Sequence, residues 1–266
     1  MTTEDHVTSR DGTRIAYERF GEGPALIAVG GATCDRTVMR STAQALGRHL
    51  STVNYDRRGR GESGDTLPYA IDREIEDIAA LIAAVGGPAH LYGHSSGAGL
   101  VLHAVAAGLP VARFVLHDPP FSPGDASSQD EARAFAMELR DLLAEDDRAA
   151  SIEMFFRGTG MPDEMLDGMR EAPTWPKLVA LAPTLAYDSA VMGDIDRGGA
   201  IPEDVAARAR QPGLVLVGGA SPPFMLEVGR RLADLLPAGS HRVIEGQDHV
   251  VAPDVLAPIV AGFLSR

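Results

Sequence analysis

Short apolar runs recur along the chain, separated by longer segments in which apolar residues follow a helical spacing. Such runs are typical of strands that are buried on both faces of a parallel sheet. The first two stretches, residues 6–9 and 14–20, instead alternate around the turn-forming pair Asp11-Gly12, which predicts a β-hairpin at an antiparallel edge. The runs that predict parallel strands are residues 25–29, 52–55, 89–92, 112–117, 214–217 and 241–244.

The segments between most of these runs predict amphipathic helices. Strands and helices that alternate in this way predict an α/β fold with a doubly wound, mostly parallel sheet and helices on both faces. The predicted helices of this core are residues 36–49, 72–85, 96–107, 223–236 and 253–264.

The alternation stops between about residues 119 and 211, where strand-like runs disappear and helical segments rich in Met, Phe, Asp and Glu take their place. We therefore predict a core domain made of residues 1–118 and 212–266, with residues 119–211 inserted between strands as a helical cap. The predicted helices of the cap are residues 128–145, 149–156, 163–171 and 175–181.

Charge narrows the range of partners. Lys and Arg total 24 against 37 for Asp and Glu, and the formal net charge of -13 disfavours binding to nucleic acid or to anionic membranes. We expect a small, uncharged substrate and no metal or organic cofactor, and self-association into a homo-oligomer stays open.

Targeting signals are not apparent in the sequence. The start is polar, and the longest largely apolar stretch, residues 97–112, is interrupted by His103 and Pro110, so we expect a cytoplasmic protein. The single cysteine, Cys34, excludes an internal disulfide framework and a zinc site of several cysteines.

The most informative motif is Gly-x-Ser-x-Gly at Gly93, Ser95 and Gly97, where a predicted strand runs directly into a predicted helix. A nucleophilic serine needs a strained turn that lifts its hydroxyl above the sheet, and the flanking glycines let strand and helix pass closely. The following helix directs its N-terminus at the site, where it favours a developing anion. We therefore predict that Ser95 is a nucleophile; a surface turn with a capping serine is the alternative.

At this point the sequence resembles the α/β-hydrolase superfamily, especially its capped branch of esterases, perhydrolases, dehalogenases and epoxide hydrolases. Residues 55–64, Tyr-Asp-Arg-Arg-Gly-Arg-Gly-Glu-Ser-Gly, look like the D-x-R-G-x-G-x-S loop of that branch. The resemblance implies an α/β-hydrolase fold over nearly the whole chain. We expect Asp56 and Arg58 to hold this loop in place rather than to act on substrate.

A serine hydroxyl becomes a good nucleophile only when a base removes its proton. His249 follows the last predicted strand, where the superfamily places its histidine, and we predict that it is the base. The resemblance also implies two backbone donors for the oxyanion, Ser96 and Ala32, with Gly30 replacing the family's loop histidine. Cys34 lies nearby but lacks an elbow, and we interpret it as a small packed residue.

The acid departs from the commonest family pattern. Superfamily members usually carry an aspartate shortly after the strand at residues 214–217, but Ser221 occupies that place here. Some relatives supply the acid after the preceding strand, where this chain has Asp118, so we predict that Asp118 orients His249. A turn aspartate before Pro119 is the alternative role, and Asp248 is the weaker substitute.

A serine nucleophile favours acyl transfer, because dehalogenases and epoxide hydrolases of this superfamily use an aspartate at the position of Ser95. We predict a serine hydrolase that cleaves an ester, thioester or lactone through an acyl-enzyme. Acyl transfer to another acceptor, a lyase or cyclase that uses His249 alone, and a ligand-binding protein without turnover stay open. From the cap we predict substrate contacts by Phe155, Met161 and Trp175, with packing as the alternative for each.

Overall fold

A computed structural model describes residues 3–266, which form one eight-stranded sheet flanked by helices. The strands are β1 Thr3–Thr8, β2 Arg14–Phe20, β3 Ala25–Val29, β4 Ser51–Tyr55, β5 Ala89–His94, β6 Val111–His117, β7 Gly213–Gly218 and β8 Gly239–Ile244. They lie in the order β1-β2-β4-β3-β5-β6-β7-β8. The pairs β1–β2 and β2–β4 are antiparallel and all others are parallel, which confirms the predicted fold class.

The hairpin lies where the alternation predicts it. Asp11 accepts a hydrogen bond from the Thr13 backbone N–H at 3.0 Å, and Gly12 has a φ of 88°. Glycine adopts that conformation without the steric cost that a side chain would add. The first strand thereby becomes an antiparallel edge of the sheet.

Both faces of the sheet are covered by helices. The helices are α1 Arg36–Leu46, α2 Ile71–Ala84, α3 Ser96–Ala106, α4 Ala126–Ala144, α5 Arg148–Gly158, α6 Asp163–Glu171, α7 Trp175–Ala180, α8 Leu185–Met192, α9 Asp194–Arg197, α10 Glu203–Ala206, α11 Pro223–Leu235 and α12 Pro253–Leu264.

Successive residues of the central strands enter opposite halves of the core, as the two-residue period of a strand requires. In β3, Leu26 and Ala28 pack in the cluster that contains residues of α1 and α12. Ile27 and Val29 pack in the cluster that contains residues of α2, α3 and α11. Because both faces of β3 are buried, its sequence is a continuous run of apolar residues.

Helices α4 to α10 form the insertion between β6 and β7, and its first four helices lie close to their predicted positions. Three of them, α4, α5 and α7, contribute residues to a small apolar cluster that includes Leu139 and Ile152. The later part is different, because Val191, Met192 and Val205 belong to the main core and α8 packs against α2 and α3. The insertion is therefore continuous with the core through its second half.

The carboxyl ends of the central strands lie level with one another. Val29 pairs with Gly93, and His94 pairs with His117, so the residues that follow these strands meet at one edge. Within residues 3–266 none of the helices has both the length and the apolarity that a bilayer span requires.

Candidate active site

Ser95 occupies a strained turn between β5 and α3. Its φ of 56° and ψ of -129° are uncommon for a residue with a side chain, and such conformations cluster at functional sites. The Ser95 N–H donates to the carbonyl of His117 at 2.9 Å, which ties the turn to the end of β6. A Cβ at Gly97 would collide with the carbonyl oxygen of Val29, so only glycine permits this approach of α3 to the sheet.

Asp118 directly follows β6 and faces His249. The Asp118 Oδ2 lies 3.2 Å from His249 Nδ1, and the Asp118 side chain is fully buried. Its Oδ1 accepts a hydrogen bond from the Gly218 N–H at 3.1 Å, and its Oδ2 accepts one from the Ser221 hydroxyl at 2.8 Å. Ser221, at the position where the superfamily usually carries its acid, therefore donates to the carboxylate that lies beside His249.

Two further histidines lie behind His249. The His94 and His249 rings are 4.7 Å apart, the His94 and His117 rings are 4.9 Å apart, and the Tyr92 hydroxyl lies 2.7 Å from His117 Nδ1. Burial and the neighbouring His249 lower the pKa of His94 to about 4, and burial lowers the pKa of His117 well below its usual value. Both rings are therefore neutral near pH 7.

His94 contacts the loop that carries His249. Its Nε2 lies 2.8 Å from the backbone carbonyl of His249, and a carbonyl can only accept, so this nitrogen carries the proton. His94 is the variable residue of the Gly-x-Ser-x-Gly motif, so the motif itself does not indicate a role for it. Only the spatial arrangement reveals that it joins the nucleophile turn to the His249 loop.

The two predicted oxyanion donors lie on either side of Ser95. A Cβ at Gly31 would lie 2.8 Å from the Cβ of Ser95, so the loop that carries Ala32 passes directly beside Ser95. Ser96 begins α3, where backbone N–H groups have no partner within the helix and the helix dipole favours an anion. Ala32, Ser95 and Ser96 all line one cavity.

Within the part of the chain that the structure describes, the residues that line this cavity do not include Cys34. Burial raises the pKa of its thiol, and its side chain packs against the apolar cluster beneath α1 and α12. A protonated, packed thiol agrees with the interpretation of Cys34 as a structural residue.

The loop after β4 is held as the sequence indicated. Asp56 accepts hydrogen bonds from the backbone N–H groups of Arg36 at 2.6 Å and Glu62 at 2.9 Å. Arg58 forms a buried ion pair with Asp77 at 2.7 Å. Neither Asp56 nor Arg58 lines the cavity among the described residues.

The cavity has a volume of about 470 Å³ and brings Ser95 and His249 to one space. Of the three predicted substrate contacts, Phe155 lines it. Met161 and Trp175 do not, and Trp175 packs instead against the apolar cluster of the insertion that contains Ile152. The other apolar side chains of the lining come from Ala32, Pro120, Phe135, Leu139, Leu185, Met192, Pro222, Phe224 and Met225.

The polar part of the lining contains two carboxylates from the insertion, Asp188 and Asp194. Burial and the nearby Asp188 raise the pKa of Asp194 to about 6. Across residues 3–266 no group of three or more His, Cys, Asp or Glu side chains has an arrangement that could hold a metal ion.

A model of the Alpha/beta hydrolase family matches residues 26–259. The chain is 43% identical over 122 residues to an N-formylmaleamate deformylase of Pseudomonas putida, a match that covers 44% of this chain and 46% of that protein's length. The chain therefore matches about half the length of this relative.

Solved structures match over nearly the whole chain. An α/β hydrolase from Sphaerobacter thermophilus is 43% identical with a TM-score of 0.85, and the match covers 97% of this chain and 99% of that one. An enol-lactonase from Burkholderia xenovorans shares the fold at 20% identity and a TM-score of 0.69, over 98% of this chain and 100% of that one.

Proposed function

Because the chain belongs to the alpha/beta hydrolase family, we propose that it is a serine hydrolase that cleaves small, uncharged esters, thioesters or lactones. The observation that carries this proposal is the contact of buried Asp118 with His249, in the cavity that the strained Ser95 also lines. Acyl transfer needs a nucleophile, a base that takes its proton and an acid that orients the base.

In the proposed cycle, Nε2 of His249 takes the hydroxyl proton of Ser95 while the serine oxygen attacks the carbonyl carbon of the substrate. Asp118 accepts the Nδ1 proton of His249 in a hydrogen bond and stabilises the imidazolium. The backbone N–H groups of Ala32 and Ser96 stabilise the oxyanion. The intermediate then expels the alcohol or thiol, which takes the proton from His249.

Water completes the cycle. His249, now neutral, removes a proton from a water molecule that attacks the acyl-enzyme carbonyl. The second tetrahedral intermediate expels Ser95, which regains its proton from His249, and the carboxylic acid product leaves. In a lactone the leaving alcohol stays attached to the acyl group, so the product is a hydroxy acid.

The wall of the cavity supports an uncharged substrate. Its lining is largely apolar, and none of the lining residues between positions 3 and 266 is a lysine or an arginine. Asp194 adds a carboxylate at one side, whereas the carboxylate of Asp188 is paired with two buried arginines. A carboxylate on the substrate would be desolvated there without a cationic partner, which costs free energy. We propose that the insertion caps the site. The composition of the lining favours neutral substrates, and the shape of the cavity selects among them.

A second candidate is hydrolysis of an N-formyl amide, which the 43% identity over 122 residues to the N-formylmaleamate deformylase favours. The same residues would serve, with His249 giving its proton to the departing nitrogen. Between positions 3 and 266 the cavity lining has no lysine or arginine that could pair with the anionic substrate named in that relative, so a neutral N-formyl amide is the form to test.

The decisive experiment labels the protein with a fluorophosphonate and locates the adduct by peptide mass spectrometry. We expect one adduct on Ser95, formed when the serine oxygen attacks phosphorus and fluoride leaves, and strong slowing in the His249→Ala variant. The Cys34→Ser variant is the control and should react like wild type. Folded wild type without an adduct, or turnover that survives Ser95→Ala, would overturn the proposal and favour a lyase, a cyclase or a binding protein.

Once the adduct is found, kinetics separates the two candidate reactions. p-Nitrophenyl acetate, a neutral lactone and a neutral N-formyl amide are compared by kcat/KM. Preference for the first two supports the ester and lactone proposal, and preference for the third supports the deformylase alternative.

A further inference from the structure

A buried ionic cluster joins the insertion to the loop after β4. Asp188 of α8 accepts hydrogen bonds from Arg57 at its Oδ1 and from Arg60 at its Oδ2, both at 2.7 Å. The Arg57 and Arg60 side chains are 1% and 0% exposed, and that of Asp188 is 7% exposed. Buried ion pairs of this kind are costly to break, because a lone charge would remain away from water.

The cluster reaches both peptide segments that flank the nucleophile. The Ser96 hydroxyl donates to Asp188 Oδ1 at 2.7 Å. Arg60 donates to the carbonyl of Gly31 at 2.5 Å, and Gly31 immediately precedes Ala32. One carboxylate therefore connects, directly and through Arg60, to the two segments that carry the proposed oxyanion donors.

The charges of the cluster balance. Arg57 also makes two hydrogen bonds to Glu74, at 2.7 and 2.6 Å, and the Tyr69 hydroxyl donates to Glu74 at 2.8 Å. Burial alone would raise the pKa of Asp188, but Arg60 and Arg57 lower it below the usual value, so Asp188 is ionised. Two guanidinium groups offset two carboxylates, and the negative charge of Asp188 does not oppose an oxyanion nearby.

We propose that Asp188 is a positioning residue that fixes the oxyanion hole by holding the Ser96 hydroxyl and, through Arg60, the Gly31-Ala32 peptide. This inference rests on the proposed serine hydrolase function. Asp188 acts through Ser96 and Arg60 and does not take part in bond making. Its contribution belongs to the transition state, because the oxyanion forms only there.

The test is the Asp188→Asn variant, assayed on the best ester found for wild type. We expect kcat to fall by about 10- to 100-fold while KM changes by less than about threefold, since loosening the donors weakens mainly the transition state. The inhibition constant of phenylboronic acid, which forms a tetrahedral adduct with the serine oxygen, should weaken by a similar factor.

A matched control is Asp77→Asn, which removes the carboxylate from another buried pair of the same loop. Asp77 binds Arg58 and does not contact Asp188 or Ser96 in the described hydrogen bonds. It should lower the melting temperature and leave kcat within about threefold of wild type. An equal loss of kcat in both variants would show that loop stability alone is at work and would overturn the proposal.

The Ser96→Ala variant decides the question if Asp188→Asn does not fold. It removes the hydroxyl that donates to Asp188 but keeps the backbone N–H and both arginine pairs. We expect a fall in kcat of about 3- to 30-fold with little change in KM. Wild-type kcat in Ser96→Ala would overturn the inference. Wild type that does not react with the fluorophosphonate would instead overturn the proposed function itself.

Discussion

The proposed acid of the site, Asp118, offers the sharpest test. Ser221, at the superfamily's usual acid position, lies directly beside it, so mutation can move the carboxylate from one position to the other. In the Asp118→Asn variant the amide can still accept from Gly218 N–H, but its NH₂ group can face His249 Nδ1 and favour the wrong imidazole tautomer. Loss of the corresponding aspartate in serine hydrolases lowers kcat by about 10⁴-fold, or about 5.5 kcal/mol at the transition state. We expect a loss of that order.

The same geometry predicts a rescue. The Ser221 hydroxyl lies 2.8 Å from the Asp118 oxygen that faces His249, so a carboxylate introduced by Ser221→Asp would come within reach of the same imidazole nitrogen. We expect the double variant Asp118→Asn with Ser221→Asp to exceed Asp118→Asn by at least about tenfold in kcat, which is about 1.4 kcal/mol.

The assay is steady-state hydrolysis of p-nitrophenyl acetate, with circular dichroism to verify folding. Asp248→Asn is the control: Asp248 is exposed and uses its Oδ1 to accept from the Val250 N–H, which an asparagine can replace. Its kcat should stay near that of wild type. An Asp118→Asn variant that folds and keeps kcat within about tenfold of wild type would refute the role of Asp118.

Two further predictions concern stability. Gly97→Ala should lower the free energy of unfolding by about 1–3 kcal/mol or more, because its Cβ meets the Val29 carbonyl. Gly262→Ala, with open space around it in α12, should be neutral or stabilising. Thermal denaturation compares the two variants, and equal melting temperatures would contradict the packing argument. His94 has a pKa of about 4 in the folded protein, below its value in the unfolded chain. The stability that its neutral ring contributes is therefore present above pH 6.5, and it decreases by about 1–3 kcal/mol as the pH falls toward 4. Urea denaturation across this range should show a smaller decrease for His94→Gln, and an unchanged pH dependence would count against the assignment.

The core of the fold was predictable because each central strand is buried on both faces. The alternating environments of β3 require every residue from Leu26 to Val29 to be apolar, and that requirement is visible without any knowledge of tertiary contacts. The Ser95 turn was predictable from its Gly-x-Ser-x-Gly motif, because both glycines are required by close backbone contacts, Gly93 with the start of α3 and Gly97 with the end of β3. Asp118 could be proposed because some members of the superfamily that the sequence resembles supply the acid after this strand.

The parts that were not predicted depend on distant contacts. The apolar residues around Trp175 indicated a helix of the insertion. Their pattern does not say whether an apolar side chain faces a cavity or the neighbouring helices, and Trp175 packs against the neighbouring helices. Asp188 looks like a surface residue of a short helix, and its partners Arg57 and Arg60 lie more than a hundred positions away. Helices α8 to α10 are short, and glycines with positive φ end α8 and lie on both sides of α9, so these helices lack a long period.

The position of Asp188 also bears on how this protein can be recombined with its relatives. Insertions between β6 and β7 invite exchange as modules, with one crossover after β6 and the other before β7. In this chain such an exchange would remove α8 and leave Arg57 and Arg60 of the recipient core without their shared carboxylate. Chimaeras that replace only α4 to α7, with the second crossover ahead of α8, would keep the cluster together and are the ones expected to stay folded and active.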